Sequence, residues 1–384
     1  MNAAQPNLAG LSLRITAINA VPLSGRTVSE NWTSHHALIA VHTDGGIVGH
    51  GSAYTDGGLV QAAVKVLEPL FISENALEPQ RVSEKLHQNT FWMGRGGSIT
   101  HAISGIDIAL WDILGKATGM PVGRLLGGMY RKRAQPYCSL SMEEPAKMRD
   151  LVARFHADGF RAFKIGWGPF GRRGDPAMDE AIVRAAREAA GGDSRLFVDA
   201  GASEAFWPNG LSWAKRTAQM LGDYQVGWFE EPLRPDAIDD YRELRRASPV
   251  PISGGEVLTR RQTFVPWLTQ GALDIVQPDV TKVGGISEQR RIGWLAEEFG
   301  VKLVGHGWNT ALGVAADLQM AAALPNTDLV EFIGGSTYVD DILETPFALD
   351  ADGWLAIPER PGLGVVLDRA RLARYTPDPS PLFA

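Results

Sequence analysis

With a single cysteine, Cys138, in 384 residues, the chain can form no intramolecular disulfide, and a reducing compartment suits it. No apolar run is long enough to cross a bilayer, which excludes a membrane-spanning helix. Basic residues are outnumbered, 37 Lys and Arg against 44 Asp and Glu, for a net charge of −7. That balance leaves no positive field to favour nucleic acid or an anionic membrane, so neither is an expected partner. The opening stretch MNAAQPNLAGLSLRITAINAVPL has no positive start followed by a compact apolar block, so no signal peptide is expected and the cytoplasm is the expected setting. Low-complexity tracts and long linkers are missing as well. What is present is ordinary globular composition, 45% hydrophobic and 21% charged, long enough for two domains or for one large barrel with a smaller partner.

Two textures follow one another along the chain. From about Leu11 to Gly51 the sequence reads as strands, with Asp44-Gly45-Gly46 between apolar runs as a hairpin signal. From about Gly58 to Gly128 it turns helical. Ile103, Ile106, Ala109, Leu110 and Ile113 keep helical spacing, and Gly119 and Pro121 stop the run. Strands followed by helices predict an α+β domain over residues 1–130. After about Arg133 short apolar runs alternate with helical stretches: FRAFKIGWG, SRLFVDAG, VGWFEEP, VPISGGE, LDIVQPD, VKLVGHG and LVEFIGG. Such alternation means parallel β/α units, and with PYCSL (136–140) as a first strand the runs number eight. Eight parallel strands close naturally into a barrel, over residues 131–359, with a short proline-rich tail from about 360 to 384 expected to pack back on the first domain. The competing open sheet lacks a GxGxxG turn after its first strand.

Six of these runs end in a residue able to bind metal or move a proton: Asp199, Glu230, Glu256, Asp279, His306 and Glu331. The intervals are 31, 26, 23, 27 and 25 residues, each about one strand, one helix and two short loops. Parallel barrel strands point one way, so these ends converge on one mouth. Asp199, Glu230 and Glu256 offer three hard oxygen ligands and no sulfur, the set Mg²⁺ prefers. In WFEEPL, neighbours on a strand face opposite ways, so Glu230 is taken as the ligand. Glu231 then either holds a neighbouring lysine or orients the ligands. Asp279 beside His306 is an acid–imidazole pair suited to general base or acid work. Lys164 projects from the second strand into the same mouth, where an ammonium can stabilise charge developing on a substrate carboxylate. Lys282, in DVTKVGG, stays open between a supporting role and the fringe of the site.

The segments SGIDIALWDILGKATGMPVGRLLGG, FVDAG, WFEEP, GGE, DIVQPDVTKVGG and GHGWN, in that order, resemble the enolase superfamily in its mandelate racemase/muconate lactonizing enzyme-like branch, over nearly the whole chain. The resemblance implies an α+β capping domain on a modified TIM barrel of seven β/α units and a final strand. It implies Mg²⁺ held by Asp199, Glu230 and Glu256, the base dyad Asp279–His306, and Glu331 hydrogen-bonded to bound substrate. It also implies gating loops at Gly25–Trp32 and Tyr54–Gly58, and a homo-oligomer. The chemistry implied is abstraction of the proton α to a carboxylate, followed by loss of a β-hydroxyl, reprotonation or ring opening.

Two positions depart from the family pattern. Lys164-Ile165-Gly166 replaces a Lys-X-Lys pair, leaving one competent base, His306, unless Lys164 takes over the second task. In Asp199-Ala200-Gly201 a glycine replaces a frequent asparagine, removing an amide from the metal surroundings. One base suffices for a dehydratase, which can return the proton to a hydroxyl leaving from the same face. The expectation is therefore an acid-sugar dehydratase acting on an aldonate or aldarate. A lactone cycloisomerase or an epimerase is the alternative, and a non-catalytic sugar-acid-binding barrel a more remote one. Lys164, Glu331, Trp308 and Arg172 are the candidate substrate contacts, Arg172 or Arg173 in WGPFGRRGDP meeting the substrate's distal end or simply lying in a solvated loop.

Overall fold

The computed structural model describes residues 12–24, 36–201 and 209–383. Strands β1 (Ile15–Leu23), β2 (His36–Thr43) and β3 (Val48–Tyr54) form an antiparallel sheet, with the Asp44–Gly46 turn joining β2 to β3. Helices α1 (Gly57–Phe71), α2 (Pro79–Thr90) and α3 (Ser98–Thr118) pack with this sheet, and α3 ends at Gly119 in the left-handed region, φ 69°. β3 reaches α3 closely because Gly49 and Gly51 have no side chain: a Cβ at either would sit 2.1 or 2.0 Å from a backbone oxygen of α3.

This layer is anchored on two cores at once. On β2, Ala37, Ile39 and Val41 join the apolar cluster of the cap, whereas Leu38 and Ala40 join the larger cluster of the barrel. α3 divides in the same way. The stripe Ile103, Ile106, Ala109, Leu110 and Ile113 faces the cap, and Ile108 and Trp111 face the barrel. A helix covered on both sides has no polar face, which is why α3 is buried nearly throughout.

After the short α4 (Val122–Leu125) come eight strands in parallel register: β4 (Arg133–Ser141), β5 (Ala162–Gly166), β6 (Arg195–Asp199), β7 (Phe229–Glu230), β8 (Ile252–Gly254), β9 (Ile275–Val276), β10 (Lys302–Leu303) and β11 (Leu329–Ile333). The helices between them are α5 (Pro145–Ala157), α6 (Pro176–Ala190), α7 (Leu211–Asp223), α8 (Ile238–Ala247), α9 (Arg261–Thr269), α10 (Gly285–Glu298) and α11 (Ala311–Ala323). β11 pairs with β4, and a parallel bridge between Gly305 and Val330 joins the tenth strand to the eleventh, closing the ring. The result is a modified TIM barrel, seven β/α units and a final strand, under an α+β cap. β12 (Leu355–Ala356) adds antiparallel to the start of β4. In the C-terminal segment the carbonyls of Pro381 and Leu382 accept from His42 and His50 of the cap sheet.

Seven strands each send one residue into a lower apolar layer of the barrel, where Phe197 stacks on Trp228 at 3.4 Å and Tyr137 meets both edge-on. Side chains alternate along a strand, so the residue two places on enters the layer above. Ala162 is thus followed by Lys164, Phe197 by Asp199, Trp228 by Glu230, Val304 by His306 and Leu329 by Glu331. One step of the pleat converts an apolar plug into an ionic floor.

Candidate active site

That floor brings together the residues expected from the strand ends. Among the described residues, Asp199, Glu230 and Glu256 form the one group of metal-type ligands, each offering a carboxylate oxygen within 4.8 Å of the others. Lys164 stands against the first two, with Nζ 2.7 Å from Glu230 and 3.4 Å from Asp199, and reaches Glu331 at 2.9 Å. His306 Nδ1 lies 2.7 Å from Asp279 Oδ2, and its Nε2 lies 3.0 Å from Glu256. Asp279 and His306 also face each other across a parallel backbone bridge, so neighbouring strand ends fix the dyad.

The two glutamates of WFEEPL separate for a reason other than strand alternation. β7 ends at Glu230, and Glu231 has a left-handed backbone, φ 43°. Its Oε1 accepts from the N–H of Gly255 at 3.1 Å, so it braces the turn that presents Glu256. Glu230 is held by Trp228 and Gln277, which donate to its Oε2 at 2.9 and 2.8 Å. Sequence reasoning overlooked Gln277, although it follows Ile275 of the apolar layer by two residues and so belongs to the ionic floor. Lys282 lies 3.7 Å from Asp279, 3.9 Å from Glu256 and 4.4 Å from the Tyr54 ring centre.

Six buried carboxyl groups, counting Glu231, face two lysines and one histidine. Burial, with the neighbouring carboxylates, pushes Glu230 and Glu231 up to about 8, and burial likewise raises Asp199. Burial acts on Glu331 in the same direction, but Lys164, His306 and the Gly307 N–H, which donates at 2.6 Å, bring it down to about 2. On Lys164, burial opposes the charge, yet Glu230, Glu331 and Asp199 together hold the ammonium well above its ordinary value. His306 likewise loses to burial and gains more from Glu256 and Glu331, ending near 9, while Lys282 pulls it down. Asp199, Glu230 and Glu256, three hard oxygen donors brought together in a buried site, suit a divalent cation.

Above the floor a cavity of about 70 Å³ opens to solvent. Lys164, Asp199, Glu256 and His306 line its base, and Tyr54, Trp167 and Trp308 its walls. Arg172 is not among the lining residues, and Arg173 is exposed and paired with Glu144. The Tyr54–Gly58 segment borders the cavity through Tyr54, whereas Gly25–Trp32 lies outside the described residues. Gly166 also lines the cavity, and here the missing second lysine acquires a structural reason. A Cβ at 166 would sit 2.7 Å from the Cβ of Asp199, its partner across the sheet.

Residues 15–127 match the model of the mandelate racemase / muconate lactonizing enzyme N-terminal domain, and residues 147–371 that of the enolase C-terminal domain-like family. The chain is 33% identical over 363 residues to a D-galactarolactone cycloisomerase of Agrobacterium fabrum, covering 90% of this chain and 92% of that protein. It is also 33% identical over 348 residues to a D-xylonate dehydratase of Haloferax volcanii, covering 86% and 83%. Among solved structures, the 3,6-anhydro-D-galactonate cycloisomerase from Zobellia galactanivorans superposes with a TM-score of 0.85 at 27% identity, over 94% of this chain and 99% of that one. With both domains matched, and with these relatives, the chain belongs to the mandelate racemase/muconate lactonizing enzyme branch of the enolase superfamily.

Proposed function

We propose that this protein is a Mg²⁺-dependent acid-sugar dehydratase, converting an aldonate or aldarate to its 2-keto-3-deoxy acid. The observation that carries the reading is a one-base site: the His306–Asp279 dyad lines a cavity in which position 166 is a glycine with no room for a side chain. His306 takes the α proton at Nε2 and, once protonated, delivers it to the β-hydroxyl leaving from the same face. Asp279 holds Nδ1 and fixes the tautomer. Lys164 faces the negative charge that develops on the substrate carboxylate, with Glu331 orienting Lys164 and hydrogen-bonding the substrate. Asp199, Glu230 and Glu256 would hold Mg²⁺, which when bound supplies Lewis-acid stabilisation of that carboxylate. Trp308 and Trp167 exclude water from the walls. A homo-oligomer in the cytoplasm, with residues 1–130 as cap and 131–359 as barrel, completes the proposal.

A second reading, a sugar-acid lactone cycloisomerase, is favoured by the named relatives of that activity. An epimerase needs a base on both faces, and Gly166 speaks against it. Proton NMR in D₂O, with Mg²⁺ and a panel of aldonates, aldarates and their lactones, separates these outcomes. A 2-keto-3-deoxy product is expected. Ring opening of a lactone would establish the second reading, and deuterium entering the α carbon without elimination would overturn both.

A further inference from the structure

We propose that Thr281 and Asn309 are positioning residues for the dyad, joined in a directional hydrogen-bond chain from Asn309 through Thr281 to Asp279. The inference rests on the reading of His306 as the base. Both residues are fully buried, and neither touches the cavity. The hydroxyl of Thr281 lies 2.6 Å from Asp279 Oδ1 and 2.8 Å from the Asn309 carboxamide atom placed as Oδ1. A hydroxyl has one proton to give. Asp279 accepts at every contact: Oδ1 from the Thr281 N–H at 2.7 Å as well as the hydroxyl, and Oδ2 from His306 Nδ1 at 2.7 Å. The Thr281 proton therefore belongs to Asp279, and the Asn309 atom beside Thr281 must itself be a donor. Oxygen and nitrogen of a carboxamide are told apart by their partners, so the geometry assigns the NH₂ of Asn309 to the Thr281 side.

The other end of the same amide agrees. The atom placed there as Nδ2 is buried and has no hydrogen-bond partner among the described residues. It lies against the first turn of α11, 2.9 Å from where a Cβ of Gly313 would be. Backbone N–H groups end unpaired in a first helical turn, and the side chain of the preceding Thr310 makes no capping bond. A carbonyl oxygen is favoured at that positive end, and an NH₂ is not. Turning the amide thus removes an orphaned donor and a surplus acceptor together.

The chain crosses between the loops that follow β9 and β10. It ties Asp279 and Thr281 to His306 and Asn309, and each bond polarises the next toward the Asp279 carboxylate. Its effect on chemistry is to hold Asp279 purely as an acceptor, so that the His306 proton stays on Nδ1 and Nε2 is left toward the cavity.

Three variants test this: Thr281→Val, Thr281→Ser and Asn309→Asp, the last of nearly identical shape but unable to donate when ionised. Losing one hydrogen bond to a charged group is expected to lower kcat about tenfold in Thr281→Val, with KM and the Mg²⁺ Kd within about twofold. Thr281→Ser should restore the loss, and Asn309→Asp should follow Thr281→Val. In the resting protein, without substrate, the far-downfield Nδ1 proton of His306 should move further downfield in Thr281→Val, as Asp279 loses a competing donor and becomes more basic, and return in Thr281→Ser. An unmoved resonance, or Thr281→Ser as impaired as Thr281→Val, would overturn the chain. If the resonance moves as stated while His306→Ala still turns substrate over, the reading of His306 as base fails and the chain stands.

Discussion

Adjacent glutamates at the end of β7 do different work because the backbone turns over between them. Glu230 completes the strand and enters the ionic floor, whereas Glu231, at φ 43°, swings to the N–H of Gly255. A carboxylate that braces a ligand-bearing turn contributes to metal affinity without touching the metal, typically by ten- to a hundredfold. Glu231→Gln keeps the shape and removes the charge, so Mg²⁺ binding measured by calorimetry should weaken about tenfold with the circular dichroism unchanged. Unaltered affinity would reduce Glu231 to a support for the turn alone. At this scale the acids and His306 were legible because barrel strands place their C-terminal ends in phase, one unit apart. Gln277, Thr281 and Asn309 were not, since neutral polar residues serve many purposes and their partners are remote in the chain: Gln277 holds a carboxylate 47 residues away. The role of Arg172 was drawn from an extended loop, and a loop reveals neither its path nor its pairings in composition.

Among the elements, α3 binds the two layers together. Its Asp107 is fully buried and accepts from Ser83 of α2 at 2.5 Å and from both the N–H and hydroxyl of Ser287, in the first turn of α10, at 2.9 and 2.6 Å. A residue of the cap thereby caps a barrel helix that follows directly on the Asp279–Lys282 loop. Asp107→Ala would strand these donors in an apolar junction, at roughly 1–3 kcal/mol for each group left unsatisfied. Urea unfolding should show a loss of about 3 kcal/mol with Mg²⁺ affinity retained, and a loss under 1 kcal/mol would mean that solvent replaces the carboxylate. The helix itself was plain in the sequence, since its apolar stripe and stop signals are local. Strand lengths were less so. VGWFEEP reads as a full strand, yet only Phe229–Glu230 pairs regularly. The chain on either side continues through single backbone bonds, such as Glu231 N–H to the Ser253 carbonyl at 3.1 Å, because a curving barrel staggers its register.

Across the whole molecule, function follows from one repeated step along the barrel axis. Apolar residues plug the lower barrel, and two residues later the same strands raise carboxylates, an ammonium and an imidazole into a cavity walled in part by Tyr54 of the cap. The period of two that builds strands and the interval of about one β/α unit that builds barrels are both sequence properties, which is why the fold and the convergence of these acids on one mouth could be read together. Loop contacts, which carry substrate choice, obey neither period. The central claim is that metal binding and proton abstraction reside in separate groups, Asp199, Glu230 and Glu256 on one hand and His306 on the other. His306→Ala, assayed for turnover and titrated with Mg²⁺ by calorimetry, tests it most directly. Turnover should fall by about a thousandfold or more with the Mg²⁺ Kd within about threefold of the parent. Surviving turnover, or metal binding lost along with it, would contradict that division.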